Sequence, residues 1–345
     1  MFQAFDGRTA DEVWQKIASA FRDRNGTLVQ PSRAGSTREI VHAGISIADP
    51  LQRWITSRYP PINPAFAIAE IVWIVTGRND AEFLNYFNRG LPNYCGHEVT
   101  YHGAYGHRLR RHLGIDQLDR AYHTLKLNQQ SRQVVLQIWD SKVDLPMCDG
   151  KEAAPDVPCN LMSMLKVRGG KLEWMQILRS NDIYRGLPYN IVQFTTLQEV
   201  MGGWLGLELG TYNQVSDSLH VYEDCLDYIQ DSPVIKVAAN TDSLSLPKKQ
   251  SEEAFNELAC QVELIISQDI LTDKLILMTH RTQLPLAFRN MLCMLCAEGA
   301  RRRNRPDVID QIMADCTNLA YKQLYNRWLR RVSSTPSTSP SPLRV

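Results

Sequence analysis

Apolar residues recur at helical spacing over residues 8–24, with Val13, Trp14, Ile17, Ala20 and Phe21 on one face. Residues 25–50 follow as a glycine-punctuated turn and strands, the clearest being R-E-I-V-H-A-G-I-S-I. Residues 64–76, P-A-F-A-I-A-E-I-V-W-I-V-T, are apolar almost throughout and predict a buried helix holding one acid, Glu70. Between 92 and 112 the periodicity gives way to Gly, Tyr, His and Arg, the texture of a functional loop and not of core. Strands are expected at 133–139, 160–168 and 173–178, a buried helix at 190–206, and short strands at 207–215 and 219–222.

After Ser232 long helical patterns take over through residue 331, among them E-E-A-F-N-E-L-A-C-Q-V-E-L-I-I. The pattern divides the chain into a catalytic domain at 1–232, a helical extension at 233–331 and a Ser/Pro/Thr-rich tail at 332–345, expected to be disordered. No internal repeat is visible.

Composition narrows the classes. A hydrophobic fraction of 44% builds a real core, and a net charge of +1 gives no global field towards DNA or membrane. The run R-R-R-N-R at 301–305 therefore reads as a solvated helix end before it reads as a nucleic-acid patch. No apolar run is long enough to span a bilayer. The N-terminus lacks the order of a signal peptide, and the eight cysteines are scattered, so a cytoplasmic chain with reduced thiols is expected, in a host cytoplasm if the source is viral. Cys293 and Cys296 form a C-x-x-C inside an apolar helical run and read as core; no metal site is expected. His97, His102, His107 and His112, five residues apart, read as solvent or substrate contacts, with a metal site as the alternative.

The densest chemistry lies between Pro158 and Asn190. Cys159 follows a proline and precedes an alternating run. A cysteine is a nucleophile only as thiolate, which needs positive charge nearby. Arg179 is the candidate for that charge, and a guanidinium also grips phosphate through two parallel bonds. Ser180 adds a hydroxyl for the same anion, and Asp182 an acid suited to a ligand contact. Gly186-Leu187-Pro188-Tyr189 reads as a rigid turn that sets Asn190 in place. The Asn190 amide offers one donor and one acceptor, matching the N3–H and O4 edge of uracil. A lone carboxyl in an apolar helix is costly, so Glu70 reads as a general acid/base with a raised pKa, or else as a buried structural acid.

Together these segments resemble the thymidylate synthase family, which includes the pyrimidine nucleotide hydroxymethylases. The resemblance covers most of residues 8–232. A-E-I-V-W resembles the family's acid-bearing helix and implies Glu70 as general acid/base. H-G-A-Y-G-H-R-L-R places Tyr105 beside the reactive ring. R-A-G-S-T implies Arg33 on phosphate, and S-R-Q-V-V-L-Q-I-W-D implies that Arg132 reaches the phosphate of a dimer partner. S-D-S-L-H-V-Y implies that His220 and Tyr222 hold the sugar 3′-hydroxyl. The implied fold is α/β (α+β), a large mixed sheet with packed helices. The implied partners are a pyrimidine nucleotide, with deoxyuridine monophosphate (dUMP) favoured, and 5,10-methylenetetrahydrofolate, which Asp182 would contact. The assembly implied is a homodimer.

Departures from the family pattern bear on the product. No tryptophan occurs between Trp73 and Trp139, and the folate-closing C-terminus is not recognisable. Gln133 follows Arg132 where a second arginine is usual, Leu178 replaces a glutamine, and Arg185 replaces a leucine as a candidate substitute for the lost charge. An open, water-accessible site favours capture of the methylene intermediate by water over hydride transfer. Formation of 5-hydroxymethyl-dUMP is therefore the expected reaction. Thymidylate synthesis and hydroxymethylation of CMP or dCMP are alternatives, and an inactive nucleotide-binding homologue is the alternative of another class.

Overall fold

The computed structural model describes residues 2–32, 35–230, 237–267 and 269–334. Seven strands form one mixed sheet: β1 (Gln3–Gly7), β2 (Leu28–Ser32), β3 (Gly35–Ile47), β4 (Val135–Gln137), β5 (Asn160–Arg168), β6 (Lys171–Asp182) and β7 (Glu208–Tyr222). The order is β1-β3-β7-β6-β5-β4, with β2 paired antiparallel to the start of β3. The β1/β3 and β6/β7 pairs are parallel and the others antiparallel. This is the expected α/β architecture with a large mixed sheet.

Helix α1 (Ala10–Arg22) opens with a capping box: Thr9 Oγ1 accepts from the Glu12 amide at 3.2 Å and Glu12 reaches back to the Thr9 amide at 3.3 Å. Its Trp14 Nε1 donates to the Ile183 carbonyl at 3.0 Å, which ties α1 to the turn after β6. Helix α2 (Pro64–Val75) is capped by Asn63, whose Oδ1 accepts from the amides of Ala65 and Phe66. Helix α3 spans Gln117–Leu127 and α4 spans Leu187–Leu205. Short helical turns apart, among them Pro92–Cys95 and Tyr105–His107, the chain continues with α5 (Lys248–Ile266), α6 (Lys274–Arg281), α7 (Leu286–Arg302), α8 (Pro306–Asp315) and α9 (Leu319–Ser334).

Three sequence expectations change. The two short strands at 207–215 and 219–222 are one strand. The polar Ser216-Asp217-Ser218 stretch looks like a break, but β3 and β6 pair with β7 from both sides and carry it through. The arginine run does not end in solvent: Arg301 and Arg302 both bond the fully buried Glu298, and Arg303 donates to the carbonyls of Ile265 and Ser267 at 2.9 Å. The first two are drawn in along α7 because a buried carboxylate demands cationic partners, and Arg303 ties the end of α7 to the end of α5. Residues 332–334 continue α9, and the rest of the Ser/Pro-rich tail lies outside the described residues.

Every residue of α2 except Glu70 is buried. Helix α4 packs on α2, and so do α5, α7 and α9 from the C-terminal helices. The loop before residue 112 is pressed against α2 as well. A Cβ on Gly106 would lie 2.3 Å from the Ile74 carbonyl oxygen, so only glycine permits this approach. Ile74 is four residues from Glu70 and shares its helix face, so the contact brings Tyr105 to the Glu70 side of α2. Gly106→Ala is expected to lower unfolding stability by about 1–3 kcal/mol, the usual cost of overpacking. Urea denaturation of the two proteins measures it.

Candidate active site

The floor of the site is a ladder of buried polar side chains where β5, β6, β7 and α4 meet. Gln176 Nε2 donates to Asn160 Oδ1 at 2.9 Å, and Asn160 Nδ2 donates to Asn190 Oδ1 at 3.3 Å. Asn190 Nδ2 reaches Asn181 Oδ1 at 3.5 Å, and Asn181 Nδ2 donates to Ser216 Oγ at 3.0 Å. Ser163 and Trp174 both donate to Gln176 Oε1, at 2.6 and 3.2 Å. Buried amides hold their orientation when each is satisfied by the next. Asn190 is thus oriented from both ends by long bonds, and it keeps an acceptor lone pair and an N–H for a ligand. Sequence reasoning singled out Asn190 and missed Asn160, Gln176, Asn181 and Ser216. Their signal was available: polar residues at the inward positions of alternating strands.

Cys159 stands just before β5 and is partly exposed. Arg179 on β6 fixes the turn that carries it. Its backbone amide donates to the Cys159 carbonyl, its Nε to Pro158 O and its Nη2 to Val157 O, each at 2.9 Å. Arg179 therefore sits beside Cys159, as the sequence suggested, with two of its nitrogens committed to shaping the loop.

Glu70 keeps part of its side chain open, yet its Oε2 is buried and meets no partner among the described residues. Burial pushes its carboxyl up to about 8, and a hydrogen bond from Gln193 pulls the other way. Tyr105 stacks at a tilt on Phe194, with ring centres 5.8 Å apart. Burial raises its phenol well above the usual range, the Cys159 thiol adds to the rise, and a hydrogen bond to Asn160 opposes it. So Tyr105, Cys159, Asn160 and Asn190 meet at one place.

The sugar- and phosphate-binding candidates group less completely. Ser180 pairs in register with Ser218, and Asp182 with His220, on adjacent β6 and β7. His220 and Tyr222 form an edge-to-face pair, 5.7 Å between rings. Asp182 Oδ1 accepts from the amides of Tyr184 and Arg185, so half of this carboxylate shapes the turn before α4. Its Oδ2 is buried with no hydrogen-bond partner and lies 3.9 Å from Arg185 Nε. Arg185 spends its charge locally: Nη2 is 3.2 Å from Asp224, and the guanidinium lies 4.5 Å over the Tyr222 ring. Arg132 is exposed and away from the other candidates' contacts. Arg33 lies outside the described residues.

Two of the spaced histidines are structural. His102 Nε2 is 2.7 Å from the buried Asp144, which also receives Arg108, and His112 Nε2 is 2.9 Å from Asp140. Both rings are held by carboxylates, of which Asp144 is buried, so they serve packing of the segment before they serve solvent or substrate. Cys293 and Cys296 are fully buried in α7, as apolar patterning implied. Among the described residues no group of three or more His, Cys, Asp or Glu side chains is arranged for a metal. No helix among them is long and apolar enough to cross a membrane.

The thymidylate synthase family model matches residues 53–265. The chain belongs to the thymidylate synthase family. The match takes in Glu70, Tyr105, Cys159, Asn190 and Tyr222, and it runs past residue 232 into α5. Among its relatives is the deoxyuridylate hydroxymethyltransferase of Bacillus phage SP01, 34% identical over 64% of this chain and 59% of that protein. The deoxyuridylate hydroxymethyltransferase of Pseudomonas phage M6 is 37% identical over 52% of this chain and 49% of that protein. A putative thymidylate synthase of Methanothermobacter marburgensis is 29% identical over 61% of this chain and 89% of its own length. The chain thus spans about half to three-fifths of the two phage relatives.

The buried Glu70 gives a stability signature. Its folded value of about 8 exceeds the ordinary value of 4.5, so the folded protein holds this proton more tightly. Stability contributed by the protonated form is complete below about 4.5 and declines as pH rises through about 8. Glu70→Gln, which cannot lose a proton, is expected to be relatively more stable at pH 9 than at pH 5. Thermal midpoints of both proteins across that range test this; a constant difference refutes the raised carboxyl.

Proposed function

We propose that the chain transfers a one-carbon unit to C5 of dUMP, with 5,10-methylenetetrahydrofolate as co-substrate, and releases 5-hydroxymethyl-dUMP. The observation that carries this reading is the convergence of Cys159, the oriented Asn160–Asn190 amide pair and the buried Glu70 carboxyl around Tyr105. The named activity of the two phage relatives supports uracil as the base.

In this reading Cys159 adds to C6 of the pyrimidine and makes C5 nucleophilic. Asn190 presents its amide to the N3–H and O4 edge and selects uracil over cytosine, whose edge has the opposite pattern. Glu70, protonated in its apolar helix, gives and recovers the proton at O4 and C5 through water. His220 and Tyr222 hold the sugar 3′-hydroxyl. Arg179, Ser180 and Arg33 receive the phosphate, with Arg132 supplied across a homodimer.

The folate fits the residues present: Asp182 Oδ2 is a buried acceptor with no hydrogen bond, and only the ion pair with Arg185 at 3.9 Å holds it. When bound, methylenetetrahydrofolate supplies carbon at the oxidation level of formaldehyde. Asp182 would hold it. The absence of a tryptophan between Trp73 and Trp139 leaves the exocyclic methylene open to water, which supports hydroxymethylation over methylation.

Mass analysis of the product from dUMP and methylenetetrahydrofolate tests the reaction. A hydroxymethyl gain is expected, and a methyl gain refutes the product assignment. Cys159→Ala is expected to lower turnover by at least about 10⁴-fold while nucleotide binding stays within a few-fold. Asn190→Asp is expected to shift preference towards dCMP, read as the ratio of kcat/KM for the two nucleotides.

A further inference from the structure

An asparagine amide is nearly symmetric in shape but not in chemistry: one end accepts and the other donates. Turned end for end, Asn190 would offer the pattern that suits cytosine and not uracil. Its use as a reader of the base therefore depends on what fixes its sense.

The fixing group lies at the far end of the buried ladder. Trp174 and Gln176 are two apart on β6 and share a face, and Ser163 stands opposite Gln176 in the β5–β6 register. Trp174 Nε1 donates to Gln176 Oε1 at 3.2 Å, and an indole N–H can only donate. The Gln176 oxygen must face it, which turns Nε2 towards Asn160 Oδ1 at 2.9 Å. Asn160 is left with Nδ2 for Asn190 Oδ1, Asn190 with Nδ2 for Asn181 Oδ1, and Asn181 with Nδ2 for Ser216 Oγ. Each link passes on the sense of the one before it. The hydroxyls of Ser163 and Ser216, at the two ends, donate or accept as required, so neither selects a direction.

Trp174, Gln176, Asn160, Asn181 and both serines are no more than 1% exposed, so solvent does not reach in to satisfy a mismatch. Reversing Asn190 alone would set N–H against N–H at Asn160 and oxygen against oxygen at Asn181. Reversing the whole chain would set the Gln176 N–H against the indole.

We propose that Trp174 is a positioning residue for base selection: acting through the amides of Gln176 and Asn160, its indole N–H sets the donor–acceptor order that Asn190 presents to the pyrimidine. The inference rests on the reading of Asn190 as the group that meets the N3–H and O4 edge of uracil. Without the indole N–H, Ser163 can turn its hydroxyl to accept from Gln176, and the reversed chain satisfies every link. Asn190 then offers a donor to N3 and an acceptor to the N4 amine of cytosine.

Trp174→Phe keeps an aromatic ring and deletes the donor. Calorimetric titration of dUMP and of dCMP into wild type and variant reads the effect without folate or turnover. The ratio of Kd for dCMP to Kd for dUMP is expected to fall about tenfold, the scale of one mispaired buried donor, with dCMP bound more tightly than by wild type. Gln176→Met cuts the chain between the indole and Asn160; it is expected to lower the ratio too and supplies the readout where Trp174→Phe does not fold. A neutron structure of the wild-type protein needs no variant: deuterium is expected on the Gln176 nitrogen facing Asn160 and on the Asn190 nitrogen facing Asn181.

Weakening of both nucleotides in parallel, with the ratio unchanged, overturns the role of Trp174, since the indole then only packs. Deuterium in the opposite order overturns it as well. Asn190→Asp in the same titrations separates the two readings. A shifted ratio there, with none in Trp174→Phe, leaves Asn190 as the base reader and removes Trp174. An unshifted ratio in Asn190→Asp overturns the reading of Asn190 itself.

Discussion

Helix α2 is apolar on every side, and a helix of that kind must be covered on every side. Burying each large side chain, such as Ile68, Ile71 or Val72, contributes about 1.5–3 kcal/mol, so an open flank would be costly. Helix α4 supplies the cover towards the sheet, and α5, α7 and α9 supply it behind. The family match ends at residue 265, so α7 and α9 lie beyond it and still bury α2. The C-terminal helices are the outer half of the core that holds Glu70. They share buried polar anchors with the first half as well: Glu199 on α4 accepts from Arg53 and from the Leu244 amide.

The same constraint sets the electrostatics. Covering α2 removes water from Glu70 Oε2, and the segments packed around it leave Tyr105, Cys95 and Asp156 half-buried and partly desolvated. For all four groups desolvation is the largest influence, and it favours the neutral form in each. The surroundings of Cys159 thereby favour neutral groups over charged ones.

Much of this was legible in the sequence because local rules and tertiary context agree. The apolar run around Glu70, the Pro-Cys turn before an alternating strand and the Gly-Leu-Pro-Tyr-Asn entry to α4 each have one reading. The misreadings arose where long-range pairing overrode local chemistry. Ser216-Asp217-Ser218 looks like a loop until strands flank it on both sides. Arg301 to Arg303 look solvated until Glu298 is buried between helices. His102 and His112 look free until Asp144 and Asp140 come back from residues 28–42 positions away.

Arg185 shows how such a departure is absorbed. A cation in place of an apolar residue beside Asp182 would be costly if left unpaired. Here it is shared among Asp182, Asp224 and the face of Tyr222, with Tyr94 5.7 Å away on another side. Tyr94 comes from the same short helical turn as Cys95. The turn that carries Cys95 is thus touched at its neighbouring residue by Arg185, while Arg185 also braces the strand end that carries Tyr222. The guanidinium of Arg185 thus lies between the rings of two tyrosines with acids on its remaining sides, so a charge introduced at the entry to α4 is neutralised where it stands.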